Sequence, residues 1–322
     1  MCIKTLARCP CPQCLVLKTD GPKLGTKSDY KTRDENPRVD THARRVTVEN
    51  ARKKMYVKGI PITSTYVQES LSKTSLTPTR NAFSTRLHEF GFNFYSMAVP
   101  DLLHEFELGV GKEIFIHLIR ILNAYDPAKL QQLNDNYRAV PTYGRNTIRR
   151  FPKRVSDMRK LAGRDYEDII QCAVACFDGL LPKKHNTVVL DLLFELATWH
   201  GLAKLRLHTS TTLNALETST TRLGQRIRRF ISVTCSAFDT RALPKEILAK
   251  AKRRAKAVER KGKGKAATTP KNSGPKKHHF NPYTYKLHSL THYVTAIRRY
   301  GTTDGYSTQT VCCHITLSHY LF

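Results

Sequence analysis

The sequence predicts an α+β chain that is mostly helical, and three observations predict it. From residue 165 to 238 apolar residues recur every three or four positions, with no stretch of alternation. One aromatic run, "GFNFYSMAV" (91–99), alternates Phe92 and Phe94 with glycine and asparagine and is bounded by glycine and proline, as strands are. A hydrophobic fraction of 40% over 322 residues is enough for one large or two ordinary domains. No run approaches the roughly 18 apolar residues of a membrane span. The opening "MCIKTLARCPCPQC" lacks the apolar centre of a secretory signal.

In chain order, "CIKTL" near the start suits a short strand running into a cysteine cluster. Residues 18–60 are polar and basic with weak periodicity, and predict loops with at most one helix. Residues 61–90 predict a linker with one short helix. The strand at 91–99 ends at Pro100, which places Asp101 at its carboxyl end and just ahead of a helix. That helix carries Leu103, Phe106, Val110, Ile114, Leu118 and Leu122. Gly109 and Gly111 weaken it by about 1 kcal/mol each, so glycine there points to close packing or a bend. "DYEDIIQCAVACFDGLL" (165–181) sets Ile169, Ile170, Ala173, Val174 and Phe177 on one face. Residues 187–207 are apolar nearly all round and predict a buried helix. Residues 211–238 repeat at Leu213, Leu216, Leu223, Ile227 and Phe230. Residues 250–277 begin as a charged helix and decay into a lysine-, glycine- and proline-rich stretch that cannot build a core. Order returns with the stripe Leu287, Leu290, Val294 and Ile297.

Charge is concentrated. The formal net charge is +28, and three segments supply 27 of it: +8 from residues 1–60, +8 from 138–164 and +11 from 250–277. Positive charge gathered in this way attracts a polyanion and releases counterions on binding. DNA is the expected partner. Arg145, Arg149, Arg150, Lys153 and Arg154 in the second segment, with Lys252, Arg253 and Arg254 in the third, are the candidate contacts. The plainer alternative is a pair of basic loops with a nuclear-import tail.

Nine cysteines, four of them (Cys2, Cys9, Cys11 and Cys14) within the first fourteen residues, argue against a disulfide framework and for metal chemistry in a reducing compartment. Cys11-x-x-Cys14 can turn back on a tight knuckle and offer two thiolates to one Zn2+. Zinc needs four ligands, and there is no second C-x-x-C. His288 and His292, spaced i, i+4, project from one helix face and can supply the other two. Such a structural zinc would contribute on the order of 10 kcal/mol to folding. A solvent-facing or stacking histidine pair is the alternative. Cys172 and Cys176 lie on an apolar helix and are expected in the core. Asp101 is on local pattern a helix cap worth about 1 kcal/mol, or else a magnesium-binding carboxylate. Glu105 and Glu107 are expected to be ordinary acids on the helix surface. Asp165, Glu167 and Asp168 could suggest a metal-dependent nuclease, but acidic residues at a helix N-terminus explain them.

"PDLLHEFELGVGKEI" resembles the D-x-x-H-x3-L-G-x2-K block of CACTA-type DNA transposases, in particular the fungal Plavaka group. "RCPCPQCLVLK", "FGFNFYSMAVPDLLHEFELG", "VPTYGRNTIRRF", "LLFELATWHGLAKLRLHT" and "YKLHSLTHYVTAIRRYGTTDGYSTQ" follow the same family in the same order, over roughly residues 9 to 309. The resemblance implies a partial ribonuclease-H-like core interrupted by a large all-α insertion. It also implies an Asp, Asp, Glu triad holding two Mg2+ or Mn2+ ions that activate water or a 3′-hydroxyl for attack on a phosphodiester. The second carboxylate falls on Asp101, and the family's cysteine and histidine pairs fall on Cys11, Cys14, His288 and His292. Two departures stand out. "MCIKTLAR" carries no acid for the first carboxylate, and "TVCCHITLSHYLF" none for the third. Asp304 belongs to the preceding motif and does not replace that third carboxylate, and Cys312, Cys313, His314 and His319 only imitate a metal site.

The implied organisation is a Cys-rich basic segment (1–60) and a core remnant with Asp101 (61–137). A helical insertion (138–249), a disordered basic linker (250–277), a His-bearing helix (278–309) and a non-family tail (310–322) follow. The expected function is a degenerate, transposase-derived DNA-binding protein of the nucleus, inactive in cleavage, for which a homo-oligomer is allowed. A non-enzymatic nuclear zinc-containing module that binds DNA or protein is the alternative.

Overall fold

The computed structural model describes residues 8–144, 147–157, 161–260 and 276–309. Among them the chain is mostly helical, as expected. The α-helices are α1 (Lys27–Glu35), α2 (His42–Tyr56), α3 (Thr65–Ser72), α4 (Ala82–Leu87), α5 (Lys112–Tyr125), α6 (Ala128–Ala139), α7 (Gly163–Phe177), α8 (Lys183–Ala203), α9 (Ser210–Arg229), α10 (Pro244–Arg260), α11 (Tyr285–Ser289) and α12 (Tyr293–Tyr300). The β component is corrected. Among the described residues no strand forms, and β pairing is confined to isolated bridges, Cys14 with Pro37, Tyr143 with Ile148 and Arg241 with Lys277. A ribonuclease-H-like sheet is therefore not present in them; "CIKTL" lies outside the described residues.

The expected strand at 91–99 is instead a 3-10 turn over Phe94–Met97. Asn93 explains the difference. Its side-chain oxygen accepts from Tyr95 N–H at 3.3 Å and from Asp40 N–H at 3.1 Å, starting a turn where a strand would continue. Phe94 and Tyr95 then bury side by side, ring centroids 4.1 Å apart, so the alternation does not divide two faces of a sheet.

The chain divides into two compact units, one of Met1–Val110, Thr198–Gln225 and Pro282–Phe322, the other of Gly111–Ala197 and Arg226–Asn281. In the first, α2 and α3 close on each other through Val48, Ala51, Val67, Leu71 and Leu76. Both α1 and α2, where at most one helix was expected, start on a threonine. Thr26 Oγ1 accepts from Asp29 N–H, and Thr41 Oγ1 from Arg44 N–H. The centre of this unit is Trp199, fully buried, with Phe106 stacked on it at 4.8 Å and Tyr293 edge-on at 4.9 Å. Its indole N–H donates to Thr220 Oγ1 at 2.8 Å, which satisfies the one polar group of the ring.

The helix after Asp101 forms, but its first ten residues, Leu102–Gly111, wind as a π-helix before α5 begins. Gly109 shows the close packing its position predicts. A Cβ there would sit 2.8 Å from the His104 carbonyl oxygen and 2.8 Å from Lys286 Cδ. Lys286 uses that space to reach the Leu108 carbonyl, Nζ to oxygen 3.0 Å.

In the second unit α5, α6 and α7 surround an aromatic core. Phe115 meets Tyr137 and Phe177 edge-on, and the Tyr137 hydroxyl donates to the Ile169 carbonyl at 2.9 Å. Cys172 and Cys176 are buried in α7, as expected of core cysteines. The helix α8 buries Val188, Val189, Leu192, Leu193 and Leu196, yet leaves Phe194 exposed, so it is not covered all round.

Candidate metal centre

The segment Cys9–Cys14 carries two prolines, Pro10 and Pro12, and folds into a knuckle. Gln13 N–H donates to Cys11 Sγ at 3.3 Å, which turns the thiol back toward Cys14. Arg38, itself buried, holds the outside of this turn. Its guanidinium donates to the carbonyls of Cys11 (2.6 Å), Cys9 (2.7 Å) and Thr74 (2.7 Å). Arg38 N–H to Gln13 O and Leu15 N–H to Asn36 O, at 2.9 and 2.8 Å, tie the knuckle to the chain that follows α1.

The histidines come from the other end of the sequence. His288 lies in α11, capped by Thr284, and His292 closes the 3-10 turn Leu290–His292 ahead of α12. The stripe expected as one helix is thus interrupted there. The i, i+4 spacing still sets both rings on one side, with their Nε2 atoms 3.3 Å apart.

These four side chains meet. The ligand atoms of Cys11, Cys14, His288 and His292 all lie within 4.8 Å of one another, and it is the single group of three or more metal-ligating side chains among the described residues. Cys11 Sγ is 3.3 Å from His292 Nε2, and Cys14 Sγ is 3.2 Å from His288 Nε2 and 3.8 Å from His292 Nε2. Around a tetrahedral ion with bonds of about 2.3 Å to sulfur and about 2.05 Å to nitrogen, the edges are about 3.5 Å between S and N and about 3.3 Å between two N atoms. The observed separations bracket those edges, so the cluster could hold a metal ion.

The electrostatics favour a thiolate at Cys11 and a neutral imidazole at His288, and disfavour a thiolate at Cys14 until a cation is bound. Burial pushes the Cys11 thiol up, but hydrogen bonds from Cys14 Sγ and from the backbone N–H of Gln13 and Cys14 outweigh it and hold Cys11 below the ordinary thiol range. Cys14 is raised, by its hydrogen bond to Cys11 and by burial. Burial, with the Arg33 charge, pushes His288 down and keeps its ring neutral, the form that donates a lone pair. Arg33 Nη1 is 3.0 Å from His288 Nε2 and 2.9 Å from His292 Nε2, and its Nη2 is 3.0 Å from His288 Nδ1. The in-plane directions of the two nitrogens of one ring diverge, so a fork that touches both approaches the ring face. Asp29 balances this cation. Its Oδ1 accepts from Arg33 Nε at 2.8 Å, and its Oδ2 from Gly25 N–H at 3.0 Å.

Asp101 is not the cap that local pattern favoured. Its carboxylate accepts from Thr308 N–H at 3.0 Å, from the Thr308 hydroxyl and from His104 Nδ1. The capping is reversed: Glu105 reaches back and accepts from Asp101 N–H at 2.7 Å. Burial raises Asp101, but the Thr308 and His104 hydrogen bonds win and hold it below the usual carboxylate range. Burial pushes Glu105 up to about 7. Neither nearby glutamate is an ordinary surface acid, because Glu107 is fully buried, 3.1 Å from His200 Nε2 and 3.7 Å from Lys204 Nζ. Asp304 is exposed and accepts from Thr302 Oγ1 at 2.5 Å.

Of the candidate DNA contacts, Arg149 turns onto Asp165 and Asp168, at 2.8 Å each, while Arg150, Lys153 and Arg154 are exposed. Lys252 and Arg253 are exposed on α10. Arg145, the Arg254 side chain, Cys312, Cys313, His314 and His319 lie outside what is described. Sequence reasoning missed Asp29, Arg33 and Arg38. The i, i+4 Asp29–Arg33 pair is the one local signal that could have flagged them. Comparison with family models, curated proteins and solved structures gives no match.

Proposed function

We propose that this chain is a zinc-stabilised DNA-binding protein related to CACTA-type transposases, working in the nucleus, and that as it stands it neither cuts nor joins DNA. The observation that supports this reading is the Cys2His2 cluster. Cysteines and histidines as much as 281 positions apart meet at ligand distances, and they are the four that the resemblance names. Two thiolates and two imidazoles in a tetrahedral arrangement favour Zn2+ among the common metals. Cys11, Cys14, His288 and His292 would hold it. Four protein donors fill its coordination, so its contribution is a cross-link between the two ends of the chain rather than a reactive centre.

Asp101 supports the non-cutting half. Two-metal phosphoryl transfer needs several carboxylates converging on one point. Here the carboxylate beside Asp101 is Glu105, committed to the Asp101 backbone and half-protonated near neutrality. DNA binding is supported by the concentrated charge of the basic segments.

Titrating the full chain with a labelled duplex over a series of salt concentrations, alongside a plasmid-nicking assay with magnesium, tests the proposal. The expected outcome is affinity that falls steeply with salt, no nicking, and unchanged binding by Asp101→Ala. Magnesium-dependent nicking that Asp101→Ala abolishes would contradict it, and so would failure to retain DNA at low salt.

A further inference from the structure

The second basic segment folds into a cleft that the metal centre does not explain. Residues 149–157 run as irregular chain ending in a 3-10 turn, pinned by Phe151 and Val155, both buried. Between and beside these anchors Arg150, Pro152, Lys153 and Arg154 are exposed. The cleft they line has a volume of about 830 Å³, with Leu161 and Ile169 among its apolar lining. That lies within the roughly 300–1,000 Å³ of clefts that engulf a small organic ligand, and exceeds what a lone anion needs.

The charges in the lining are not equivalent. Asp165 and Asp168 would repel an anion, but Arg149 bridges both of them at 2.8 Å. Arg164 adds a further cation 3.7 Å from Asp168. Arg150, Lys153 and Arg154 have no ion-pair partner among the described residues, and the third carboxylate in the lining is Asp157. The cleft thus presents a positive rim over an apolar floor.

We infer that this cleft is a binding site for single-stranded nucleic acid. The phosphates lie on Arg150, Lys153 and Arg154, and a base enters the cleft against Pro152 and Leu161. The inference rests on the DNA-binding reading and narrows it to one surface and one strand form. A duplex could use the three cations, but its bases are stacked and paired and cannot reach the floor. A single strand offers free base faces that stack on apolar surface while cations track its backbone. Arg149 is a positioning residue here, since it acts by neutralising the acidic wall.

Fluorescence anisotropy with a labelled oligothymidylate and with a blunt duplex of equal length, on the full chain, tests this. Three proteins are compared: wild type, the triple variant Arg150→Gln/Lys153→Gln/Arg154→Gln, and Pro152→Glu, which sets a carboxylate where the base enters. The expected result is tighter binding of the single strand by wild type. The triple variant should lose about tenfold or more for the single strand and less for the duplex, and Pro152→Glu should weaken the single strand more than the duplex. Single-strand affinity unchanged in the triple variant would overturn the site. An equal loss for both forms in both variants would reduce it to a surface phosphate contact and overturn the strand preference. A wild type that binds duplex but not single strand defeats this inference and leaves the DNA-binding reading standing; binding of neither defeats both.

Discussion

Arg38 carries more of the centre than its place outside the ligand set suggests. Three backbone carbonyls, two of them buried (Cys9 and Cys11) and one partly exposed (Thr74), receive their hydrogen bonds from its one guanidinium. Arg38→Ala leaves the two buried carbonyls without a donor, at a cost of roughly 1 kcal/mol or more for each. Urea unfolding should therefore show Arg38→Ala less stable by about 2 kcal/mol, with Arg38→Lys recovering only part, because an ammonium cannot span three acceptors in a fixed fork. A variant as stable as wild type would show that the knuckle holds itself. At this scale the ligands were legible in the sequence and their supports were not. C-x-x-C and H-x3-H announce themselves by residue type and local spacing. Arg33 and Arg38 lie in polar text where, apart from the i, i+4 spacing of Arg33 from Asp29, nothing distinguishes them from surface cations, and only the fold brings them inward.

The helices show the same division one level up. Stripes of apolar residues made α5, α7 and α9 readable, because one buried face at a 3.6-residue period survives in any tertiary setting. The π winding of Leu102–Gly111 was not readable, since the same apolar spacing serves either register. The false strand at 91–99 had the right composition but pairs with no strand among the described residues, and Asn93 turned it. His117 in α5 yields a prediction at this scale. Its ring is buried, edge-on to Phe230 at 6.0 Å and tilted against Phe280 at 5.5 Å, and neither nitrogen has a hydrogen-bond partner among the described residues. Burial pushes it down to about 4, helped by the charges of Arg120, His279 and His278. The unfolded chain takes up this proton near pH 6.5, the folded chain only near 4. Between those values the unfolded state binds more protons, so stability falls as the pH drops through the window, by up to on the order of 3 kcal/mol. His117→Leu should flatten that slope in urea midpoints measured from neutral pH down to about pH 4; an unchanged slope would mean the ring is not the group that titrates.

For the whole molecule, charge and ligands make two separable statements. The basic segments carry the proposal of a DNA partner, and their charge is visible in the sequence because a surface that attracts a polyanion needs only local density of charge. The metal cluster concerns the fold, because it joins the chain near residue 11 to the chain near residue 292. The expected sheet was illegible for a plain reason: it came from resemblance, and strand pairing depends on long-range partners that no short window contains. Metal content of the full chain, purified without chelator, tests the central claim most directly. About one equivalent of zinc per chain is expected in wild type, lost alike in Cys14→Ser and in His292→Ala, with both variants less stable to heat. Zinc retained at the wild-type level in Cys14→Ser, or lost in one variant but not the other, would contradict a single centre shared by the two ends of the chain.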